Sequence, residues 1–226
     1  MAFDIKYFLR RPLQLPVAVI TRLPFFDFIR GTADYQNRIN FETWFSQKII
    51  NHGSNRDAYW PVHPTSQVFD AHRIYAGVDT CPGLMKGCYI QGRGGIWFGD
   101  YTQIAPNVVV VSANHDVHDL RSHIERPVWI GNYCWLGAGS TILPGVELGD
   151  FTIVGAGAVV TKSFPDGFVV IGGNPAKVIR NITPEQCLRY ELPDKYYGYL
   201  PENKFQKFRK DSLEIDDIFA NKFISK

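Results

Sequence analysis

No stretch of this sequence approaches the ~20 consecutive apolar residues that a membrane-crossing helix needs, which excludes a helical span. No Cys-x-x-Cys pair occurs either: Cys81, Cys88, Cys134 and Cys187 stand apart, and so few cysteines in 226 residues do not make a disulfide framework. That usage suits a reducing compartment, so a cytoplasmic location is expected. Residues 1–30 lack the basic start, apolar middle and small-residue cleavage site of a signal peptide, and export is not expected. An excess of one charge is missing as well. Lys and Arg number 24 against 22 Asp and Glu, a net charge of +2, which argues against a nucleic-acid binder working mainly by phosphate neutralisation.

What is present is ordinary for one folded domain with appendages: 45% hydrophobic and 20% charged residues. The text divides into a partly helical N-terminal cap over residues 1–59, a main domain over 60–182 and a C-terminal extension over 183–226. In the cap, Pro12, Pro16 and Pro24 cut any helix into short pieces. Lys6, Arg10, Arg11, Arg22 and Arg30 outnumber Asp4 and Asp27, and Phe25, Phe26 and Phe28 add aromatic surface. The preferred reading packs these aromatics on the end of the main domain. The other is peripheral contact of residues 1–33 with the inner membrane surface. From Asp34 to Asn51, apolar Ile39, Trp44, Phe45, Ile49 and Ile50 recur at intervals that predict an amphipathic helix.

From Trp60 onward a repeat takes over. Ile130, Leu136, Ile142, Leu148, Val154 and Val160 stand six apart, and glycine follows four of them. The fifth place of each hexad holds Cys134, Ser140, Val146, Thr152, Ala158 and Phe164, mostly small or β-branched. Six helical steps of about 100° would leave successive repeats about 120° apart, so an α-helix cannot hold them on one face. Short strands joined by tight bends can: the aliphatic residue fills the interior and the small one permits the bend. Phe98, Ile104 and Val110 carry the spacing upstream. The coil then pauses from Val111 to Pro127, and an insertion into a repeat array projects as a loop and is the place to look for function.

With these residues in hand, the chain resembles the bacterial hexapeptide-repeat acyltransferases, near the sugar and polysaccharide O-acetyltransferases. The resemblance covers roughly residues 60–180. It rests on Tyr89-Ile90-Gln91-Gly92, Asn114-His115-Asp116, Trp135-Leu136-Gly137-Ala138-Gly139, Gly155-Ala156-Gly157, Val160-Thr161-Lys162 and Gly173-Asn174-Pro175-Ala176-Lys177, on top of the hexads. It implies an all-β fold, a left-handed parallel β-helix with a loop extruded from the coil. The handedness comes from the resemblance, because parallel crossovers are otherwise right-handed. It also implies a homotrimer with sites between subunits and acetyl-CoA as co-substrate, with no metal.

Acetyl transfer to a hydroxyl requires a base for the alcohol proton, and imidazole has a suitable pKa. The extruded loop offers His115, His118 and His123. By its place in the motif, His115 is the implied base. Asp116 reads as loop structure, since neighbours in an extended segment point to opposite sides. The resemblance assigns the backbone N–H of Ala138 to the developing oxyanion. Trp135, Ala138, Ala156 and Thr161 match positions beside the pantetheine arm, and Lys162, Lys177 and Arg180 are the cations for the phosphates. Tyr89, Gln91, Arg93 and His118 are the candidate acceptor contacts. An N-terminal acceptor pattern of the galactoside type is not evident in Met1 to Trp60, which argues against a simple free-sugar enzyme and favours capsule, exopolysaccharide or other surface-polysaccharide synthesis. Two alternatives stay open from sequence: N-acetylation of an amino sugar, and a β-helix metal enzyme of the carbonic anhydrase-like type.

Overall fold

Pairing of the hexads shows how the repeat closes on itself. In the computed structural model, which describes residues 17, 19–51, 53–220 and 222, Leu136 pairs with Val154, Ile142 with Val160 and Ile130 with Leu148. A full turn therefore takes three hexads, and these six side chains are completely buried along the axis. The strands in chain order are β1 (Gln67–Phe69), β2 (Ile74–Ala76), β3 (Tyr89–Gln91), β4 (Ile96–Phe98), β5 (Gln103–Ile104), β6 (Val109–Val111), β7 (Ala113–His115), β8 (His123–Glu125) and β9 (Val128–Ile130). They continue as β10 (Trp135–Leu136), β11 (Thr141–Ile142), β12 (Glu147–Leu148), β13 (Thr152–Val154), β14 (Val159–Val160), β15 (Val169–Gly172), β16 (Lys177–Asn181), β17 (Tyr196–Tyr197) and β18 (Leu200–Pro201). Parallel pairing stacks β1, β3, β6, β11 and β14 as a first face, β2, β4, β9 and β12 as a second, and β5, β10, β13 and β15 as a third. β16 closes the third face antiparallel to β15.

Glycine after the buried aliphatic residue is a matter of space: a Cβ on Gly131 would lie 2.6 Å from the Asp150 nitrogen of the next turn. The residues that follow build the corner between the second and third faces. The Asp100, Asn132 and Asp150 side chains each accept a backbone N–H from the preceding turn at 2.8 Å, from Val78, Asp100 and Asn132 respectively. Next to them Tyr101, Tyr133, Phe151 and Phe168 take φ values of 57°, 55°, 56° and 46°, an uncommon backbone for such residues. Their rings stack in sequence at 5.1, 4.8 and 5.2 Å, and this packing offsets the strain.

The second face carries a further ladder outside the coil. Tyr75 stacks on Trp97 at 3.7 Å and Trp97 on Trp129 at 4.7 Å, and Phe219 of the C-terminal extension packs edge-on against both tryptophans. The extension's main helix, Glu202–Ser212, drives Phe205 against Tyr197 with centroids 3.9 Å apart. Phe205 is fully buried. Phe205→Ala is expected to destabilise the fold by about 3–5 kcal/mol, read from urea unfolding, because the cavity has rigid aromatic walls that cannot collapse.

In the cap, Phe26, Phe28 and Ile39 form a small core to which Tyr196 and Tyr199 of the extension contribute. The helix expected over Asp34–Asn51 is shorter. It runs Phe41–Phe45 with a π-helical turn Ser46–Ile50, starting after Asn40, whose side chain caps the Thr43 N–H at 2.8 Å. The preceding segment is held away from helical pairing because Gln36 and Asn37 donate their N–H groups to the Asp79 carboxylate at 3.0 and 2.8 Å. Readings that rest on Asp4, Lys6, Arg10, Arg11, Pro12 and Pro16 lie outside the described residues. Among the described residues no helix is long and apolar enough to cross a membrane.

Candidate active site

The pause in the coil is a β-hairpin, β7 against β8, that leaves the corner between the first and second faces. Its root is clamped. Ser112, fully buried, donates its hydroxyl to the Gln91 carbonyl at 2.9 Å and accepts the Gly94 N–H at 2.8 Å. Gln91 Oε1 accepts the Ala113 N–H at 3.2 Å, and Glu125 on β8 pairs with Arg73 at 3.1 Å and Arg93 at 3.3 Å. Of the four candidate acceptor residues, Gln91 and Arg93 thus direct polar atoms at the hairpin itself. Tyr89 stays 37% exposed beside Phe69 on the first face, and His118 is exposed at the hairpin tip, where Asp116 accepts its backbone N–H at 2.7 Å. Asp116 therefore serves the loop rather than His115.

His115 ends β7, exposed, with Nδ1 2.6 Å from the Leu120 carbonyl. A carbonyl only accepts, so Nδ1 carries a proton, and in the neutral ring the lone pair lies on Nε2. Sequence reasoning missed this partner, because a backbone carbonyl leaves no residue signature. It named His123 as a loop histidine but did not place it directly opposite His115 across the hairpin, and it missed the Arg73 and Glu125 supports.

The third face bears a groove of about 510 Å³ lined by Trp135, Ile153, Gly137, Ala138, Gly155 and Ala156, among others. Trp135 is 45% exposed in it. Register aligns Gln103 with Trp135, Trp135 with Ile153, Ile153 with Val170 and Val170 with Arg180. Partners in a ladder share a face, so the apolar row leads from the groove to a guanidinium. Lys177 pairs with Gly172 on the same sheet edge. Thr161 and Lys162 are exposed just after β14 and are not among the groove's lining residues; the Lys162 ammonium lies 5.6 Å from the Phe164 ring centre.

The corner between the third and first faces offers free donors. Gly137 donates its N–H to Val154 at 2.8 Å and Gly139 to Pro106 at 3.0 Å, whereas the Ala138 N–H between them has no acceptor among the described residues. Ala156, one turn on, repeats the pattern. One turn earlier the same position is Pro106, since Gln103 and Ile104 are in register with Trp135 and Leu136. His115 and Ala138 are not brought together within one chain: the hairpin leaves one corner of the prism, the groove occupies another, and the first face lies between. Among the described residues no group of three or more His, Cys, Asp or Glu side chains is placed to hold a metal ion.

The family described as bacterial transferase hexapeptide (six repeats) matches residues 127–162. The galactoside O-acetyltransferase of Escherichia coli K12 is 44% identical over 108 residues, 46% of this chain and 49% of that protein. That of Lactococcus lactis is 39% identical over 100 residues, 42% of this chain and 48% of that protein. The chain thus spans about half the length of these curated relatives. A solved galactoside acetyltransferase in complex with coenzyme A superposes with a TM-score of 0.53 at 28% identity, covering 77% of this chain and 99% of that one. Residues 127–162 thus carry hexapeptide repeats of the transferase type, wound as a left-handed β-helix, and the relatives the chain resembles are sugar O-acetyltransferases.

Proposed function

We propose that this protein is an acetyl-CoA-dependent O-acetyltransferase that acts on a carbohydrate hydroxyl, as a homotrimer whose sites lie between subunits. The observation that carries the reading is the 2.6 Å contact of His115 Nδ1 with the Leu120 carbonyl, which leaves Nε2 as a fixed proton acceptor on an exposed hairpin. Nε2 takes the proton of the acceptor hydroxyl as its oxygen attacks the thioester carbonyl, and gives it to the thiolate sulfur as the C–S bond breaks and CoA leaves as the thiol. The Ala138 N–H, unspent in the coil, donates to the oxygen that becomes negative as the carbonyl turns tetrahedral.

The groove suits the donor's shape and charge. Trp135 and Ile153 give an apolar wall, Ala156 gives a free N–H for an amide carbonyl, and Arg180 with Lys177 stands at the end where anionic phosphates belong. Arg180→Ala is expected to raise KM for acetyl-CoA roughly tenfold with little change in kcat, the pattern of lost uniform binding, in steady-state assays.

Separation of His115 and Ala138 on different corners supports a site completed by a second copy, and a closed cyclic trimer supplies three such sites. For the acceptor, Tyr89 is exposed on the first face and His118 at the hairpin tip, with Gln91 and Arg93 shaping the hairpin's base. A precursor of capsule, exopolysaccharide or another surface polysaccharide, acetylated in the cytoplasm or at the inner face of the membrane, fits this open approach. Thiol release from acetyl-CoA against a panel of sugars, nucleotide sugars and lipid-linked oligosaccharides tests the reading. Acceptor-dependent release with an ester-linked acetyl product supports it, and an amide-linked product or release indifferent to any carbohydrate overturns it.

A further inference from the structure

Two imidazoles face each other on the hairpin, and only one has a task so far. The Arg126 N–H donates to Ser112 at 2.8 Å and the Asp116 N–H to Ser122 at 3.0 Å, so the pairs 112/126 and 116/122 are hydrogen-bonded. Antiparallel ladders alternate, which makes His115 and His123 a non-hydrogen-bonded pair, the kind in which opposed side chains approach most closely. Their ring centroids are 4.3 Å apart, with planes 41° to one another. His115 is therefore held on one edge by the Leu120 carbonyl and on one face by the ring of His123, although it stands exposed on a projecting element.

We propose that His123 is a positioning residue: its ring braces the imidazole of His115 so that Nδ1 stays on the Leu120 carbonyl and Nε2 stays aimed outward. This inference rests on His115 being the base of the proposed transfer. An exposed histidine at the end of a strand would otherwise sample several χ1 and χ2 states, each taking Nδ1 off its acceptor. A flat neighbour at van der Waals distance removes those states without contributing any chemistry. The groups facing His123 are compatible with a neutral brace. Partial desolvation lowers its pKa below the ordinary histidine value, Arg93 and His115 act in the same direction, and Glu125 opposes them. A neutral ring also imposes no like charge on His115 when that residue takes up its proton.

The second strand of the hairpin is itself fixed from outside. Glu125 on β8 is held by Arg73 and Arg93, and Arg73 also reaches Glu214 of the C-terminal extension at 3.3 Å. The brace thus stands on the coil and on the extension, and the position of His123 does not depend on the hairpin tip.

Two variants test the assignment, His123→Ala, which removes the ring, and His123→Phe, which restores a flat face that cannot titrate. Nitrogen-15 NMR of histidine-labelled protein, read on the neutral form of His115, reports whether Nδ1 or Nε2 holds the proton. It does not depend on acetyl transfer, so it separates failure of this inference from failure of the proposed activity. His123→Ala is expected to average the two tautomers of His115 and to lower kcat about tenfold with KM for acetyl-CoA unchanged. His123→Phe is expected to restore the Nδ1-protonated tautomer and bring kcat back to within about twofold of wild type. A single Nδ1-protonated tautomer in His123→Ala overturns the inference, and so does a His123→Phe variant as impaired as His123→Ala.

Discussion

His115→Ala is expected to lower kcat for acetyl transfer by roughly 10²–10⁴, the usual share of a positioned general base, while acetyl-CoA binds as before. Nothing in the groove depends on the lost side chain. Trp135, Ala138 and Ala156 line the third face, and His115 is not among the groove's lining residues. Nor does the hairpin depend on it, since its root is held by Ser112, Gln91 and Glu125. Isothermal titration with CoA beside a thiol-release assay separates the two properties. An activity within about twofold of wild type would mean that another group takes the proton.

Ala138→Pro is expected to lower kcat by about 10²–10³ with the fold intact, because it deletes one N–H and little else. Proline at an arbitrary position would also disturb the backbone, but the coil has run this control already: Pro106 occupies the equivalent corner one turn earlier, in register through Gln103 and Ile104. The Ala138 N–H contributes no hydrogen bond within the coil, so its removal leaves no orphaned carbonyl. The neighbouring bonds from Gly137 to Val154 and from Gly139 to Pro106 remain available. Unchanged thermal unfolding together with a loss confined to kcat marks the missing donor, and full activity would move the oxyanion site elsewhere.

The six-residue period was legible because the buried place in each hexad must be aliphatic and the next must be small, a constraint that Ile130 to Val160 obey without exception for the aliphatic place. The break at Val111 was legible as an interruption, though not as a hairpin, since β7 and β8 are short and polar. The aromatic corner was missed. Left-handed backbone at Tyr101, Tyr133 and Phe151 runs against residue preference and is stable only once the turns are stacked. The ladder of Tyr75, Trp97 and Trp129 was hidden too, because insertions in the intervening turns destroy its regular spacing. At the candidate site, residue types marked His115 and Trp135. The Leu120 carbonyl and the Ala138 N–H are backbone groups, visible only when their other partners can be counted.

The most direct test of the whole account mixes the two impaired chains. His115→Ala keeps a complete groove and Ala138→Pro keeps a complete hairpin, and neither is expected to transfer acetyl efficiently alone. If each site takes its base from one subunit and its oxyanion donor from the next, random assembly of equal amounts gives about one interface in four with both parts intact. Co-expressed chains are then expected to recover about a quarter of wild-type acetyl transfer. Activity that stays at the level of the separate variants, in trimers shown to contain both chains, would place His115 and Ala138 in the same subunit's site and contradict the account.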